Sequence, residues 1–241
     1  MLEKLEKFQI TILSLVIALA IVAASNIITG AISKDSVTVT GSYSENVVSD
    51  NGKFEFELNS REVNKAKAYE VINKQRPVVI KYLEEKGFSK DEIDVKTTNG
   101  YNSYKYLPNG NTSNEVAYFN ASQRFEVKSN DVNKIKEVAN DIPNLISKGV
   151  DINAYEPSYF YSKLSDMKVK MLEEATKDAK NRASAMLKST HNRVGKIQSV
   201  KMGVFQITPV NSNDVSDMGI SDTSSIEKKI TSVANVTFSV K

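Results

Sequence analysis

The chain has no cysteine, one histidine and five prolines in 241 residues. Without cysteine there is no disulfide, no thiolate metal site, no cysteine nucleophile and no cysteine to carry a lipid. A lone His191 leaves no second imidazole for a metal site and no spare for a histidine-dependent triad. The net charge of +3 is small and evenly spread, short of the basic stripe that nucleic acid requires. Glycine-rich phosphate loops, HExxH, GxSxG and EF-hand patterns are all missing. No catalytic residue, cofactor or metal is therefore expected, and no nucleic-acid partner.

Charge is also absent from Phe8 to Ser33. A helix over residues 8–29 would rise about 33 Å, enough for the hydrocarbon of a bilayer. The favoured reading is an uncleaved signal anchor over residues 1–33, which makes the membrane a partner. The alternative is a cleaved signal peptide, with Val22 and Ala24 before the cut and the product secreted or periplasmic. Lys4 and Lys7 precede the run and Lys34 follows it, so the folded part, 34–241, is expected outside the cytoplasm.

After the anchor the pattern alternates between strand and helix periods. SVTVTG (36–41) and KFEFEL (53–58) read as strands, the second with Phe54, Phe56 and Leu58 on one face. Glu62–Lys86 reads as a helix with Gly87 at its end, and Pro77 inside it predicts a kink near Asn73 or two helices. A strand at 92–97, a return strand at 116–128 and a helix from an Asp131 cap follow, with Pro143 bending or ending that helix. Strands are expected at 149–161, 195–208 and 228–241, with a long helix from Ser165 or Asp166 to about Thr190. Residues 211–227 are polar and aperiodic and read as a mobile loop. The fold class is α+β, order β-β-α-β-β-α-β-α-β-β, with antiparallel sheets covered by helices on one side.

Two groups of residues stand out. Tyr101, Tyr104, Tyr106, Tyr118 and Phe119 could form an aromatic interaction face, or serve as cross-strand pairs or an oligomer contact. In the long helix, Leu172, Ala175, Ala179, Ala183, Met186 and Leu187 fall on one stripe, a ridge that allows close packing. Its charges resolve into Glu173–Lys177 and Asp178–Arg182 pairs in the favoured acid-first order, worth about 0.2–0.5 kcal/mol each. His191 reads as a helix-end residue, with Asn192 as the left-handed cap.

These residues give the chain its resemblance to the SIMPL-domain (DUF541) family, which includes bacterial periplasmic immunogenic proteins. Val37–Gly41 resembles the family's opening strand ending in Val-x-Gly. Gly87-Phe88 with Ile93–Thr97, and Tyr118–Val127, resemble two later segments. Ala175, Asp178, Ala179 and Ala183 match its A-x-x-D-A-x-x-x-A helix, and Val194–Ile197 and Ser232–Val240 fit the end. The chain departs from the pattern at Ser49, where the family has proline, and at His191-Asn192, where it has glycine. The resemblance implies an exported or envelope-associated protein, loosely tied to stress tolerance. It also implies self-association, in some members as rings or channels, or binding of an envelope protein, and it carries no catalytic residues. The rival expectations are a ring- or channel-forming structural oligomer, and a hydrolase with an unrecognised site in the tyrosine-rich hairpin.

Overall fold

In the computed structural model, residue 9, residues 12–25 and residues 35–241 are described. Residues 12–25 form helix α1, and all its described side chains are exposed. No helix among the described residues is long and apolar enough to cross a membrane. The described part of α1 rises only about 21 Å. Apart from Gln9, the ends of the expected 8–29 span lie outside the described residues.

The remainder forms two compact units whose boundaries fall inside elements. The first comprises the described residues up to Tyr43, together with Lys170–Val204 and Ser232–Lys241. Within it, strand β1 (Ser36–Val48) lies beside β11 (Glu227–Val240), and β11 pairs antiparallel with β8 (Val194–Met202). Hydroxyl and amide side chains tie Thr38 to Thr237 and Thr40 to Asn235. The partners step in opposite directions along the two strands, as antiparallel neighbours do. Helix α4 (Leu164–Lys188) covers the other face. The core there is Val39, Ala175, Ala179, Ala183, Ala234, Val236 and Phe238.

The second unit comprises Ser44–Val169 and Phe205–Thr231. At its centre the long strands β2 (Asn51–Glu62) and β5 (Thr112–Ser129) pair antiparallel, from Gly52–Ser129 to Glu62–Phe119, almost the whole of β2. β3 (Ile93–Val95) and β4 (Asn99–Tyr106) both pair with the outer edge of β5. β6 (Ile152–Ala154) and β7 (Ser158–Phe160) both pair with β2. Alternation turns Phe54, Phe56 and Leu58 inward, where they meet helices α2 (Lys65–Glu85) and α3 (Val132–Asp141). Phe56 and Phe125 stack with centroids 5.0 Å apart. Each fully buried apolar side chain of this kind contributes about 1.5–3 kcal/mol.

Several expectations are corrected. Of the two outcomes expected at Pro77, two separate helices are excluded, because α2 runs unbroken from its Asn64 cap to Glu85. Pro77 and Asn73 are both exposed, so the carbonyl that loses its helical partner faces water. The expected strand 149–161 is two short strands, β6 and β7, because Tyr155–Pro157 interrupt the ladder. The 195–208 stretch likewise breaks after Met202 into β8 and β9 (Gln206–Pro209). One of the two sheets is mixed, since β10 (Ile220–Ser221) runs parallel to β9, while the pairs of the β2–β5 sheet are all antiparallel. Pro143 acts as anticipated: α3 stops at Asp141 and a 3-10 helix, Ile142–Lys148, starts with the proline in its first turn.

The 211–227 segment, read as mobile, is fastened at three points. Gln206, itself buried, donates to the Ser216 carbonyl (2.7 Å) and accepts from the Ser216 amide (3.3 Å). Lys229 donates to the Ser212 carbonyl at 2.6 Å, and Lys228 to the Asp222 carbonyl at 2.7 Å. Two of these anchors, Lys228 and Lys229, are adjacent residues of β11, a strand already held by its ladder.

Candidate interaction surfaces

The alanine stripe of α4 is a packing seam. Ala175, Ala179 and Ala183 are fully buried while Lys177 and Arg182 are exposed. The ends of the ridge differ from expectation. Leu187 is buried as expected, and Met171 is buried too, whereas Leu172 is half-buried and Met186 exposed. The buried row repeats every four residues, following the i+4 ridge of the helix surface. What it meets is the strand β1. A Cβ on Gly41 would lie 2.1 Å from the Ala175 carbonyl oxygen and 2.4 Å from the Ala179 nitrogen. Backbone touches backbone here, which requires glycine on one side and alanine on the other.

Asp178 sits beside this contact. Its Oδ2 accepts the Ser42 amide at 2.9 Å and the Arg182 Nε at 2.8 Å. Arg182 also reaches the Ser42 hydroxyl at 3.4 Å. The other expected pair is replaced, because Lys177 lies 3.6 Å from Glu174, not beside Glu173. Thus Val39-Thr40-Gly41 and the A-x-x-D-A-x-x-x-A helix are two sides of one junction. The aspartate ties the strand to the helix.

On the far side of α4 the same unit is open. β8 pairs only with β11 among the described residues, so its other edge is free. A bulge between Thr237 and Phe238 places Ile197, Val200 and Met202 opposite Phe238, Val236 and Ala234. They share the apolar face, yet are 52%, 45% and 52% exposed. Ile197 and Phe238 line a groove of about 420 Å³ with Leu172, Thr176 and the stems of Lys177 and Lys180.

The five aromatic residues of the hairpin do not form one face. Tyr101 and Ser103 alternate with Asn102 and Tyr104 along β4, and the register pairs Tyr101 with Asn120, Ser103 with Tyr118, and Asn102 with Phe119. Phe119 is buried and lies 6.2 Å from the Tyr69 ring on the helix side. Tyr118 lies on the opposite face, with the Arg61 guanidinium 4.1 Å above its ring. Tyr104 and Tyr106 are exposed toward the hairpin tip, and Tyr101 is 66% exposed.

Tyr101 borders a polar cleft of about 580 Å³ on the open face of the β4–β5–β2 sheet, where Glu57, Asn59, Arg61, Asn120, Ser122 and Asp151 also lie. One sequence signal points to it. The KFEFEL alternation continues through Asn59 and Arg61 on the polar side. Nothing in the spacing marked Asp151, which reaches the cleft because its carbonyl receives the Asn59 amide.

Two titratable groups are buried as a pair. Lys228 is 2% exposed and its ammonium lies 3.5 Å from Asp222 Oδ2. Desolvation pushes the Lys228 amine below its ordinary value, against the attraction of Asp222. Desolvation pushes the Asp222 carboxyl up, but bonds from Ser224 and Ser225 and the Lys228 charge outweigh it and hold it below the usual range. Both groups are consumed in holding the loop. No group of three or more metal-ligating side chains occurs among the described residues.

His191 closes α4, and it, not Asn192, takes the left-handed conformation, with φ of 62°. The Asn192 amide reaches the Leu187 carbonyl and the His191 amide that of Lys188, the Schellman arrangement. Gly87 ends α2 with the same two bonds, at φ of 86°.

No curated protein matches the chain. A family model described as SIMPL, protein of unknown function (DUF541), matches residues 37–240, from the first residues of β1 to the last of β11. The match contains both sides of the Gly41–Ala179 junction. The chain belongs to the SIMPL (DUF541) family.

Proposed function

We propose that this SIMPL protein is held in a cell membrane by its N-terminal segment, with its folded part outside the cytoplasm, and acts without catalysis by assembling with copies of itself. The observation that carries the reading is the free edge of β8 with its exposed apolar row, Ile197, Val200 and Met202. A second strand added there would complete the ladder and cover that row. Lys196 and Lys201 on the same strand restrict pairing to a partner that can accommodate their charge. The uncharged run from Phe8 to Ser33 and the exposed apolar side chains of α1 support the anchor. A role in stress tolerance belongs to this reading through the family alone.

The absence of native cysteine allows a direct test of location. Asn109→Cys, in the exposed β4–β5 turn, gives the chain a single thiol. A membrane-impermeant maleimide should label it in intact cells, and the full-length chain should remain in the membrane fraction after alkaline washing. Labelling only after lysis, or full-length protein in the cytosol, contradicts the reading.

A further inference from the structure

The open face of the β4–β5–β2 sheet divides into two halves. In one, the charges satisfy each other. Lys53 meets Glu55 at 2.8 Å, Lys128 meets Glu126 at 2.5 Å, and Glu57 is held by Arg124 (3.1 Å) and the Tyr155 hydroxyl (3.1 Å). The other half is the cleft, and there polar side chains are left open. Asn59, Ser122, Tyr101 and Asp151 make no side-chain hydrogen bond or ion pair with described residues. Arg61 makes only its stacking contact with Tyr118. A solvated sheet face explains the first half. It does not explain a cleft with unengaged groups around an exposed tyrosine.

The cleft's geometry and chemistry narrow the ligand. Arg61, Asn120 and Tyr101 form one row across three strands, and Asn59, Ser122 and Asn99 the next on the same face. With strands about 4.8 Å apart and alternate residues about 6.8 Å apart, the two rows cover about 10 by 7 Å. Donors and acceptors are mixed: guanidinium, carboxamides, hydroxyls and the Asp151 carboxylate. Asn120 is fixed by its bond to the Ser103 hydroxyl at 2.7 Å. Arg61 and Asp151 balance in charge, and Glu57 is already neutralised by Arg124, so a strongly charged ligand gains little. An apolar ligand would strand the polar groups without partners. A neutral polyhydroxylated ligand meets every group, with its C–H face on the Tyr101 ring and its hydroxyls on the amides and charges.

From this we infer that the cleft is a binding site for a neutral oligosaccharide, with Tyr101 as the stacking platform, and Arg61, Asn59, Asn120 and Asp151 as hydroxyl ligands. The site lies within the second unit and stands independently of how the chain is anchored or assembled.

The test is isothermal titration of the full chain with chitotetraose, cellotetraose and maltotetraose, using a detergent without a sugar headgroup. At least one tetrasaccharide should bind saturably. Tyr101→Ala and Arg61→Ala should each weaken that binding by about tenfold, while Tyr106→Ala at the hairpin tip leaves it unchanged. Tyr101 and Arg61 are exposed, so unfolding midpoints should stay close to that of the unaltered chain, and the comparison is made between folded proteins. Absence of saturable binding by all three sugars overturns the inference. So does binding that either variant retains in full, or binding of inorganic phosphate in place of the sugars.

Discussion

At the scale of single residues, the family's most recognisable letters are explained by contact distance. Gly41 must lack a side chain because α4 occupies its space. Gly41→Ala should destabilise the protein by about 3 kcal/mol, the upper range for forced overpacking, measured by urea denaturation. Removing the carboxylate in Asp178→Ala should cost about 1 kcal/mol, less because the Ser42 amide can turn to water. His191 predicts the opposite sign. It holds a left-handed conformation that disfavours any side chain by about 1 kcal/mol, so His191→Gly should raise the unfolding midpoint. A midpoint lowered by that change would show that the imidazole makes a contribution beyond the cap. The sequence foretold a cap at this helix end but placed it at Asn192, because asparagine is the commoner left-handed residue. The bond from the Asn192 amide to Leu187 moves the position back by one.

At the scale of elements, legibility followed periodicity. β2 and the inward faces of α2 and α3 were readable because each has one buried side and an unbroken period. The ridge of α4 was readable in its alanines and not at its ends. There a 3.6 period and a strict four-residue row diverge by one position, so that Met171 replaces Leu172 and Leu187 is buried without Met186. Pro77 does not divide α2, because tertiary context outweighs the local rule in the fold. α2 is held by Ala68, Ile72, Val79 and Leu83, all fully buried. Pro77→Ala should therefore stabilise, by about 1–2 kcal/mol after the entropy returned to the unfolded chain.

The 211–227 loop was unreadable because its anchors are specific side chains, not a pattern. Its attachment makes a pH prediction. The folded Asp222 and Asp50 carboxyls both lie below their ordinary range. For Asp50, desolvation pushes up, and the Ser162 amide and hydroxyl bonds more than reverse it. The unfolded chain thus binds the more protons. This stability is present above about pH 4 and is lost as pH falls through the folded values. Thermal unfolding of Asp50→Asn with Asp222→Asn should show a shallower decline below pH 4 than the unaltered chain. An equal decline would place the acid sensitivity elsewhere.

At the scale of the whole molecule, the proposed anchor rests on the uncharged run from Phe8 to Ser33, which composition alone makes legible. The surfaces are not legible in that way. The β8 edge depends on which strand ends a sheet, and the sugar-sized cleft on three strands separated by some ninety residues of sequence from Arg61 to Asp151. Both follow from pairing order, which periodicity does not encode. They also carry different claims, one about assembly and one about ligand, and neither fails with the other.

Assembly through the β8 edge is the central functional claim, and the mass of the particle tests it most directly. Light scattering of the full chain, corrected for detergent, should give a multiple of 26.7 kDa, and Ile197→Lys should reduce it toward a single chain without lowering the unfolding midpoint. A single-chain mass across the concentration range, or an assembly that Ile197→Lys leaves intact, would contradict the account.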